Sequence, residues 1–309
     1  MSEFFLELFS EEIPAGLQRN LREKILDEFQ KFFLDKSITS KKSFSLSTPN
    51  RLVVVFEGLD NQIKIKPEVI KGPKTNAPEQ ALEGFVRSNK IEKKDLYKDN
   101  TEKGEFYFFK TKSKILKTQD LLVEFVPKLL DNYQWKKSMK WGEFDLKWGR
   151  PLKSILSVFE NKIVNFKFHH ITSSNTTFID KDFEDKKKNF KDFKAYEKFF
   201  QNQGIVIDQN KREKFIKREF EKILKNKKLK IEENQRLVDE VVDLVENPNV
   251  LLCKFDKRFL SIPKEILTLM AFPTSDQTLP ISLIFSIGNY LVVLEQTLLA
   301  DLESLIFLI

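Results

Sequence analysis

The feature that most constrains this chain is the disappearance of basic residues after position 270. All 53 lysines and arginines lie within residues 1–270, so at that density the last 39 residues would contain about eight, and they contain none. The first 270 residues carry 42 acidic side chains, for a net charge of +11, whereas the last 39 carry four and a charge of −4. We therefore expect a basic body over residues 1–270 and an aberrant apolar tail over 271–309. A buried hydrophobic helix pair is the alternative for the tail.

Hydrophobic patterning in the body changes repeatedly between a strand period and a helix period. It predicts strands at 4–9, 44–48, 52–56, 62–70 and 105–111, a hairpin over 154–159 and 163–168, and helices at 16–36, 79–89 and 119–133. After a charge-rich stretch, it predicts helices at 196–203, 209–225 and 234–246 around a short strand at 205–207. These patterns favour an α+β fold with mixed sheets and packed helices over 1–178, followed by a helix-rich segment over 179–270. The predicted core contains Phe5, Leu6, Leu8, Val53, Val55, Phe106, Phe108, Ile155 and Val158.

Cysteine and histidine are too rare for several kinds of site. Cys253 is the single cysteine, which excludes an internal disulfide framework, and with only His169 and His170 no Cys/His zinc set can form. On a strand these adjacent histidines would point to opposite faces and could not share a metal. The acidic start lacks the basic region of a signal peptide, and no apolar run reaches membrane-spanning length. We therefore expect a cytoplasmic protein without a membrane partner.

Catalytic signatures are also missing. The sequence has no glycine-rich phosphate-binding motif, and the string from Lys136 to Lys140 has the wrong order for a synthetase lysine-serine loop. Glu11 and Glu12 are adjacent carboxylates, which we interpret as stabilising the positive end of the following helix rather than as an acid–base pair. We therefore expect no catalytic, cofactor-binding or metal-binding residue in this chain.

Short segments along the chain resemble, in order, the beta subunit of bacterial heterotetrameric glycyl-tRNA synthetase. The similar segments are FLELFSEEIPA (5–15), TPNRLVV (48–54), KGP and GFVR (71–73 and 84–87), KGEFYF (103–108), SMKWG and RPL (138–142 and 150–152), GIVID (204–208), and LVENP through PKEIL (244–267). The resemblance covers about residues 3–270. It departs from the family pattern after His170, where a Gly-His-Arg sequence is replaced by Ser173 to Phe178, and again after Met270.

The resemblance implies that two different subunits carry out catalysis and tRNA binding. The alpha subunit would hold glycine and ATP with magnesium, while this chain would support tRNA(Gly) binding and heterotetramer assembly, with no DNA partner. The loss of resemblance where the basic residues end implies an N-terminal part of the subunit followed by a reading-frame shift. The alternatives are a freestanding RNA-binding module and an inactive remnant of a frameshifted gene.

One basic stretch is suited to RNA. Binding to an RNA backbone requires cationic side chains near phosphates, and aromatic faces can hold unpaired bases. Tryptophans at 135, 141 and 148 are interleaved here with the candidate RNA contacts Lys136, Lys137, Lys140, Lys147 and Arg150. The alternative is that the tryptophans belong to the core and the lysines only face water.

Overall fold

The computed structural model describes residues 2–102, 104–179, 186–227, 235–254, 283–287 and 290–294. Helices pack on several sheets, so the predicted α+β class is confirmed. The helices are α1 (Ala15–Asp35), α2 (Glu79–Asn89), α3 (Thr118–Asn132), α4 (Phe193–Asn202), α5 (Gln209–Lys227) and α6 (Gln235–Leu244), with a short 3-10 turn at Lys93–Asp95. The strands are β1 (Glu3–Ser10), β2 (Lys42–Ser47), β3 (Arg51–Glu57), β4 (Gln62–Ile65), β5 (Val69–Lys74), β6 (Leu96–Thr101), β7 (Gly104–Lys110), β8 (Lys114–Lys117), β9 (Leu152–Phe159), β10 (Lys162–Ile163), β11 (Lys167–Phe168), β12 (Ile171–Thr172), β13 (Thr176–Phe178), β14 (Lys187–Asn189), β15 (Val250–Lys254), β16 (Leu283–Ile287) and β17 (Tyr290–Leu294).

A five-stranded sheet in the order β10-β9-β1-β3-β2 forms the centre of the fold. Its middle strand, β1, pairs along most of its length with β3 and β9, so that Phe5 lies opposite both Val55 and Val158. β1 and β2 are both antiparallel to β3, and helix α1 connects them by crossing over that strand. In this sheet β1 and β2 run parallel to each other, but β3 separates them, so every pairing is antiparallel. The ladders of the other described sheets are antiparallel as well, rather than mixed as expected.

Both faces of the central sheet are covered, which explains why β1 is apolar at consecutive positions. Side chains on a strand alternate between faces. Phe4, Leu6 and Leu8 share one core with helices α1 and α3. Phe5 shares a second core with side chains of α4, including Tyr196 and Phe200. The helix-rich segment therefore packs directly on the sheet formed by the first part of the chain.

Residues 62–117 form two smaller sheets beside this centre. Strand β4 pairs with β8, while β5, β7 and β6 form a three-stranded sheet in that order. The predicted strand at 62–70 is divided at Lys66-Pro67-Glu68, because proline lacks the N–H that a continuing ladder needs. Phe106 of β7 is half-buried, whereas every other predicted core residue is buried.

Helices were predicted more accurately than short strands. The predictions for α1, α2 and α3 agree with the structure to within one residue at each end. The predicted strand at 205–207 is wrong: the carbonyl oxygens of Val206 and Ile207 accept hydrogen bonds from the guanidinium of Arg212 instead of from a strand. A three-residue apolar run does not reveal such a side-chain partner.

The predicted hairpin at 154–168 is correct only in its first half. β9 pairs with the two-residue strand β10 through a turn at Glu160 and Asn161, which both have positive φ, at 50° and 62°. Positive φ at both central residues is the conformation of a tight type I′ hairpin turn. Residues 164–166 of the predicted second arm are not in a strand, and residues 167–168 form β11, which pairs with β12 instead.

The tail expected at 271–309 lies mostly outside the described residues. Within it the structure describes β16 and β17, which pair with each other. β17 also pairs with β15, from Val250 to Lys254. The proposed divisions of the chain at 178 and 270 stay predictions.

Phe29 of α1 provides a test of the core between α1 and the central sheet. Its ring is fully buried and lies 5.5, 5.8 and 5.2 Å from the rings of Phe4, Phe56 and Phe125. We expect Phe29→Ala to lower the free energy of unfolding by about 3–5 kcal/mol, because it leaves a cavity. Leu34→Ala on the same helix, where the side chain is 78% exposed, should change it by less than about 0.5 kcal/mol. Denaturant titration followed by circular dichroism would measure both, and equal effects would contradict the packing of α1 on the sheet.

Candidate nucleic-acid interface

The predicted RNA contacts lie on the loop that joins α3 to β9. Lys136, Lys137, Lys140 and Lys147 are exposed. The loop folds back on itself through two backbone hydrogen bonds between Met139 and Trp148, of 2.8 and 3.2 Å. The four lysines are thus presented to solvent on one structured loop, which we name the lysine loop (residues 133–151).

Arg150 differs from these lysines. It is half-buried, and its guanidinium donates hydrogen bonds to the carbonyl oxygens of Glu12 and Gly149, at 3.1 and 3.2 Å. Arg150 therefore uses part of its hydrogen-bonding capacity to attach the end of the lysine loop to the segment before α1.

The tryptophans next to these lysines serve mainly to anchor the loop. Trp148 is 3% exposed, and its ring lies 5.0 Å from that of Trp135 at a near-perpendicular angle. A Cβ added at Gly149 would come within 2.3 Å of the Trp135 ring, so glycine permits this close approach. Trp148 is therefore a core residue, as the alternative interpretation of this stretch expects. Trp135 and Trp141 are only half-buried, and they pack against the same core.

Lys140 forms an ion pair on the lysine loop. Its Nζ atom lies 3.2 Å from a carboxylate oxygen of Asp145, and both side chains are half or more exposed. Exposed ion pairs contribute only about 0–1 kcal/mol. Exchange of this carboxylate for an RNA phosphate would therefore cost little.

His169 and His170 occupy the turn between β11 and β12 rather than the strand considered from the sequence. His169 has a positive φ of 51°, and its Nε2 atom lies 3.0 Å from Oδ1 of Asp131. His170 stacks on Phe144 with ring centroids 3.6 Å apart, and burial lowers its pKa, with a smaller contribution from His169. Within the part of the chain that the structure describes, no group of three histidine, cysteine or acidic side chains is arranged to hold a metal.

A buried charge network around Arg51 was not anticipated from the sequence. Arg51 of β3 is 1% exposed, and its Nη1 atom donates to Glu246 at 2.9 Å. Its Nη2 atom donates to the carbonyl oxygen of Phe178 at 3.0 Å, and Nε lies 3.3 Å from Glu7 without making a hydrogen bond. The guanidinium also lies over the rings of Phe9 and Phe200, at 4.8 and 4.4 Å from their centroids.

Arg212 of α5 forms the second half of the network. Its guanidinium is fully buried and donates to the carbonyl oxygens of Ser47 and Val242 at 2.7 and 2.9 Å. Burial lowers the pKa of Arg212 to about 10, and nearby Asp243 acts in the opposite direction. Asp243 also accepts a hydrogen bond from Arg22 of α1 at 2.7 Å. These contacts connect α1, β2, α5 and α6, and their burial indicates a structural role.

A polar cavity of about 240 Å³ opens beside this network, between α1, α5 and α6. It contains two arginines, but Arg19 lies 3.7 Å from Asp239 and Arg22 lies 2.7 Å from Asp243. Because each cation already faces a carboxylate, the cavity is a weaker candidate for a phosphate than the lysine loop is.

Comparison with known proteins identifies the family of this sequence. The family model described as "Glycyl-tRNA synthetase beta subunit" matches residues 4–279. The chain belongs to this family. The beta-subunit match extends nine residues beyond the limit of 270 that we expected from short motifs.

Curated beta-subunit relatives agree with the family match. The glycine–tRNA ligase beta subunits of Rickettsia conorii and Rickettsia peacockii are each 37% identical to this chain over 267 residues, and that of Rickettsia felis is 35% identical over 269 residues. Each alignment covers 86% of this chain and 40% of the relative. The chain thus spans about two-fifths of the length of the curated beta subunits that it matches.

The buried network coincides with the beta-subunit resemblance. Glu7, Arg51, Arg212 and Glu246 lie in or beside the segments at 5–15, 48–54, 204–208 and 244–248 that resemble the family. The similarity of these segments to the family could therefore have marked the four charged residues as important. Their separations along the chain could not reveal that the side chains meet.

Burial raises the pKa of two groups of the network in this beta-subunit chain, the Glu7 carboxyl and the Tyr196 hydroxyl. It raises the pKa of Glu7 from 4.5 to about 7, while Arg51 acts in the opposite direction. It also raises the pKa of the Tyr196 hydroxyl, which donates a hydrogen bond to Glu7 at 3.0 Å. An acid whose pKa is higher in the folded than in the unfolded chain contributes stability at pH values below its pKa in the unfolded chain. This contribution is lost as the pH rises through its pKa in the folded chain.

The pH dependence of stability provides a test. From about pH 5 to pH 8 the free energy of unfolding of the unmodified chain should fall relative to that of Glu7→Gln, by up to roughly 3 kcal/mol, because glutamine does not ionise. Glu11→Gln, which removes an exposed carboxylate from the same segment, should retain the original pH profile. Denaturant titrations at several pH values would measure the difference. Parallel profiles for Glu7→Gln and the unmodified chain would contradict the raised pKa.

Proposed function

We propose that this chain acts as the beta-subunit component of a glycine–tRNA ligase, binding tRNA(Gly) and assembling with an alpha subunit for ATP-dependent glycylation. The family match over residues 4–279 is the observation that carries the proposal. The lysine loop supports the tRNA-binding part, because it presents four exposed ammonium groups on a structured backbone. Such groups can neutralise RNA phosphates without reading base sequence.

The chemistry is assigned to the alpha subunit, which would use ATP with magnesium. This assignment agrees with a sequence that has no glycine-rich phosphate-binding motif. The holoenzyme would be a heterotetramer in the cytoplasm. Among the helices in the described ranges, none is long and apolar enough to cross a membrane.

Reconstitution tests the subunit role. The purified chain alone should catalyse no glycine-dependent ATP–pyrophosphate exchange, whereas adding it to the alpha subunit of the same organism should raise the rate of tRNA(Gly) glycylation. Exchange by the chain alone would contradict the assignment of chemistry to the partner. Binding of tRNA without any stimulation would favour a freestanding RNA-binding module, and the absence of both would favour an inactive remnant.

Charge removal tests the lysine loop. The variant Lys136→Ala/Lys137→Ala/Lys140→Ala should bind tRNA(Gly) more weakly, with a plot of log affinity against log salt shallower by about two units, because up to three phosphate contacts are lost. A matched control removes three exposed lysines of α5, through Lys214→Ala, Lys222→Ala and Lys225→Ala. Fluorescence anisotropy over a salt series would measure both. Equal effects of the two triple variants would show that only net charge matters.

A further inference from the structure

The three-stranded sheet β5-β7-β6 has one face covered by helix α2. Phe85 of that helix lies so close to Gly72 of β5 that an added Cβ would be 2.9 Å from its ring. Ile70 and Phe109, which are directly opposed across the ladder, are half-buried. Directly opposed residues of antiparallel strands share a face. Alternation along β5 places Ile70 and Gly72 together beneath α2.

The opposite face of this sheet carries aromatic and basic side chains. Phe108 lies between Tyr97 on one neighbouring strand and Lys71 on the other. Phe106 lies between Asp99 and Lys74 in the same way. We name this surface the aromatic face, defined by Lys71, Lys74, Tyr97, Phe106 and Phe108.

The rings of the aromatic face are accessible to different extents. Tyr97 is 42% exposed and stacks at 25° on Phe108, with ring centroids 5.9 Å apart. Phe106 is half-buried, and Val69 at the sheet edge is 55% exposed, whereas Phe108 is only 9% exposed. Tyr97 and Phe106 are therefore the rings of this face that a ligand can reach. Exposed apolar surface of this kind, bordered by charged side chains, is typical of interaction sites.

The lysines of the aromatic face give it a positive charge next to these rings. The Nζ atoms of Lys71 and Lys74 lie 3.6 and 5.7 Å from the centroid of the Phe106 ring. Neither lysine forms an ion pair with a carboxylate in the described part of the chain. Asp99 is the acid opposite Phe106, and it accepts a hydrogen bond from the backbone of Asn100 at 2.9 Å. Two cations against one anion favour a negatively charged partner.

We propose that the aromatic face binds a short single-stranded segment of RNA. Unpaired bases stack on Tyr97 and Phe106, while Lys71 and Lys74 contact the adjacent phosphates. The charge and the flat rings together select this partner, because aromatic side chains can stack only on bases that are not already paired and stacked in a duplex. Lys71 covers Phe106 in the free chain, but an exposed cation–π contact is weak and its flexible ammonium can move to a phosphate. The inference rests on the proposed role in tRNA binding and adds a second, strand-selective surface.

The test uses the full chain, a short labelled single-stranded RNA of mixed sequence, and the duplex formed by that RNA and its complement. Tyr97→Ala should weaken binding of the single strand by about 5-fold to 100-fold, with little effect on the duplex, because one base loses its stacking partner. Tyr97→Phe keeps the ring and should retain binding. Lys71→Ala/Lys74→Ala should make the salt dependence shallower by about 1.4 units on a log–log plot, because two phosphate contacts are lost.

The matched control is Lys94→Ala/Lys98→Ala. Both lysines are exposed, and Lys98 follows Tyr97 on β6 but lies on the covered face, with its Nζ atom 5.6 Å from the Tyr107 ring. This control should leave the affinity for single-stranded RNA within about twofold of the original, because the phosphate contacts of Lys71 and Lys74 are retained. Circular dichroism would confirm that each variant is folded.

The outcomes separate this inference from the proposed function. Equal losses for single strand and duplex, or equal losses for the two double-lysine variants, would overturn the assignment of the aromatic face. A chain that stimulates the alpha subunit but binds no single-stranded RNA would overturn this inference alone. A chain that binds the single strand through Tyr97 but neither binds tRNA(Gly) nor stimulates the alpha subunit would support the aromatic face and overturn the proposed function.

Discussion

The buried guanidinium of Arg51 is the constraint on which the arrangement of the elements depends. A buried charge is costly unless nearby groups compensate it, and removing one partner of a buried ion pair typically destabilises a protein by about 3–5 kcal/mol. Glu7 reaches Arg51 from β1, Glu246 reaches it from beyond α6, and Phe178 offers a carbonyl oxygen from β13. Strands β1 and β3 are thereby held next to the segment that follows α6, where Glu246 lies 195 residues after Arg51.

A second buried cation extends this constraint to the irregular segment before α5. Arg212 takes the carbonyl oxygens of Val206 and Ile207 as partners, and it also bonds to the backbone of β2. Because these buried contacts hold the central sheet and its helices together, loops and small sheets at the surface of the body can be less regular. The lysine loop and the aromatic face are both such surfaces, the former anchored by Trp148 and the latter supported by α2 beneath the small sheet.

Long periodic segments could be predicted from the sequence, because local patterning and tertiary packing favour the same structure there. Helix α2 begins and ends at the predicted residues, and β1 was found from its aromatic and aliphatic run. Short segments were harder. The run at 205–207 has the composition of a strand but satisfies its carbonyl groups with Arg212, and residues 167–168 pair with β12 rather than with β9. In both cases a partner outside the apolar run itself decided the structure.

The sequence by itself determined the family, the basic character of the first 270 residues and the positions of the lysines on one short stretch, since motifs and charge are properties of residue order. Tertiary structure alone decided which charges meet and which face water. Glu7 lies next to Arg51 because β1 pairs with β3, and Glu246 reaches the same guanidinium from beyond α6. Likewise, Tyr97, Phe106 and Lys71 become one surface only through the register of three strands. The physical reason is that ion pairing, burial and stacking depend on distance in space, which separation along the chain does not specify.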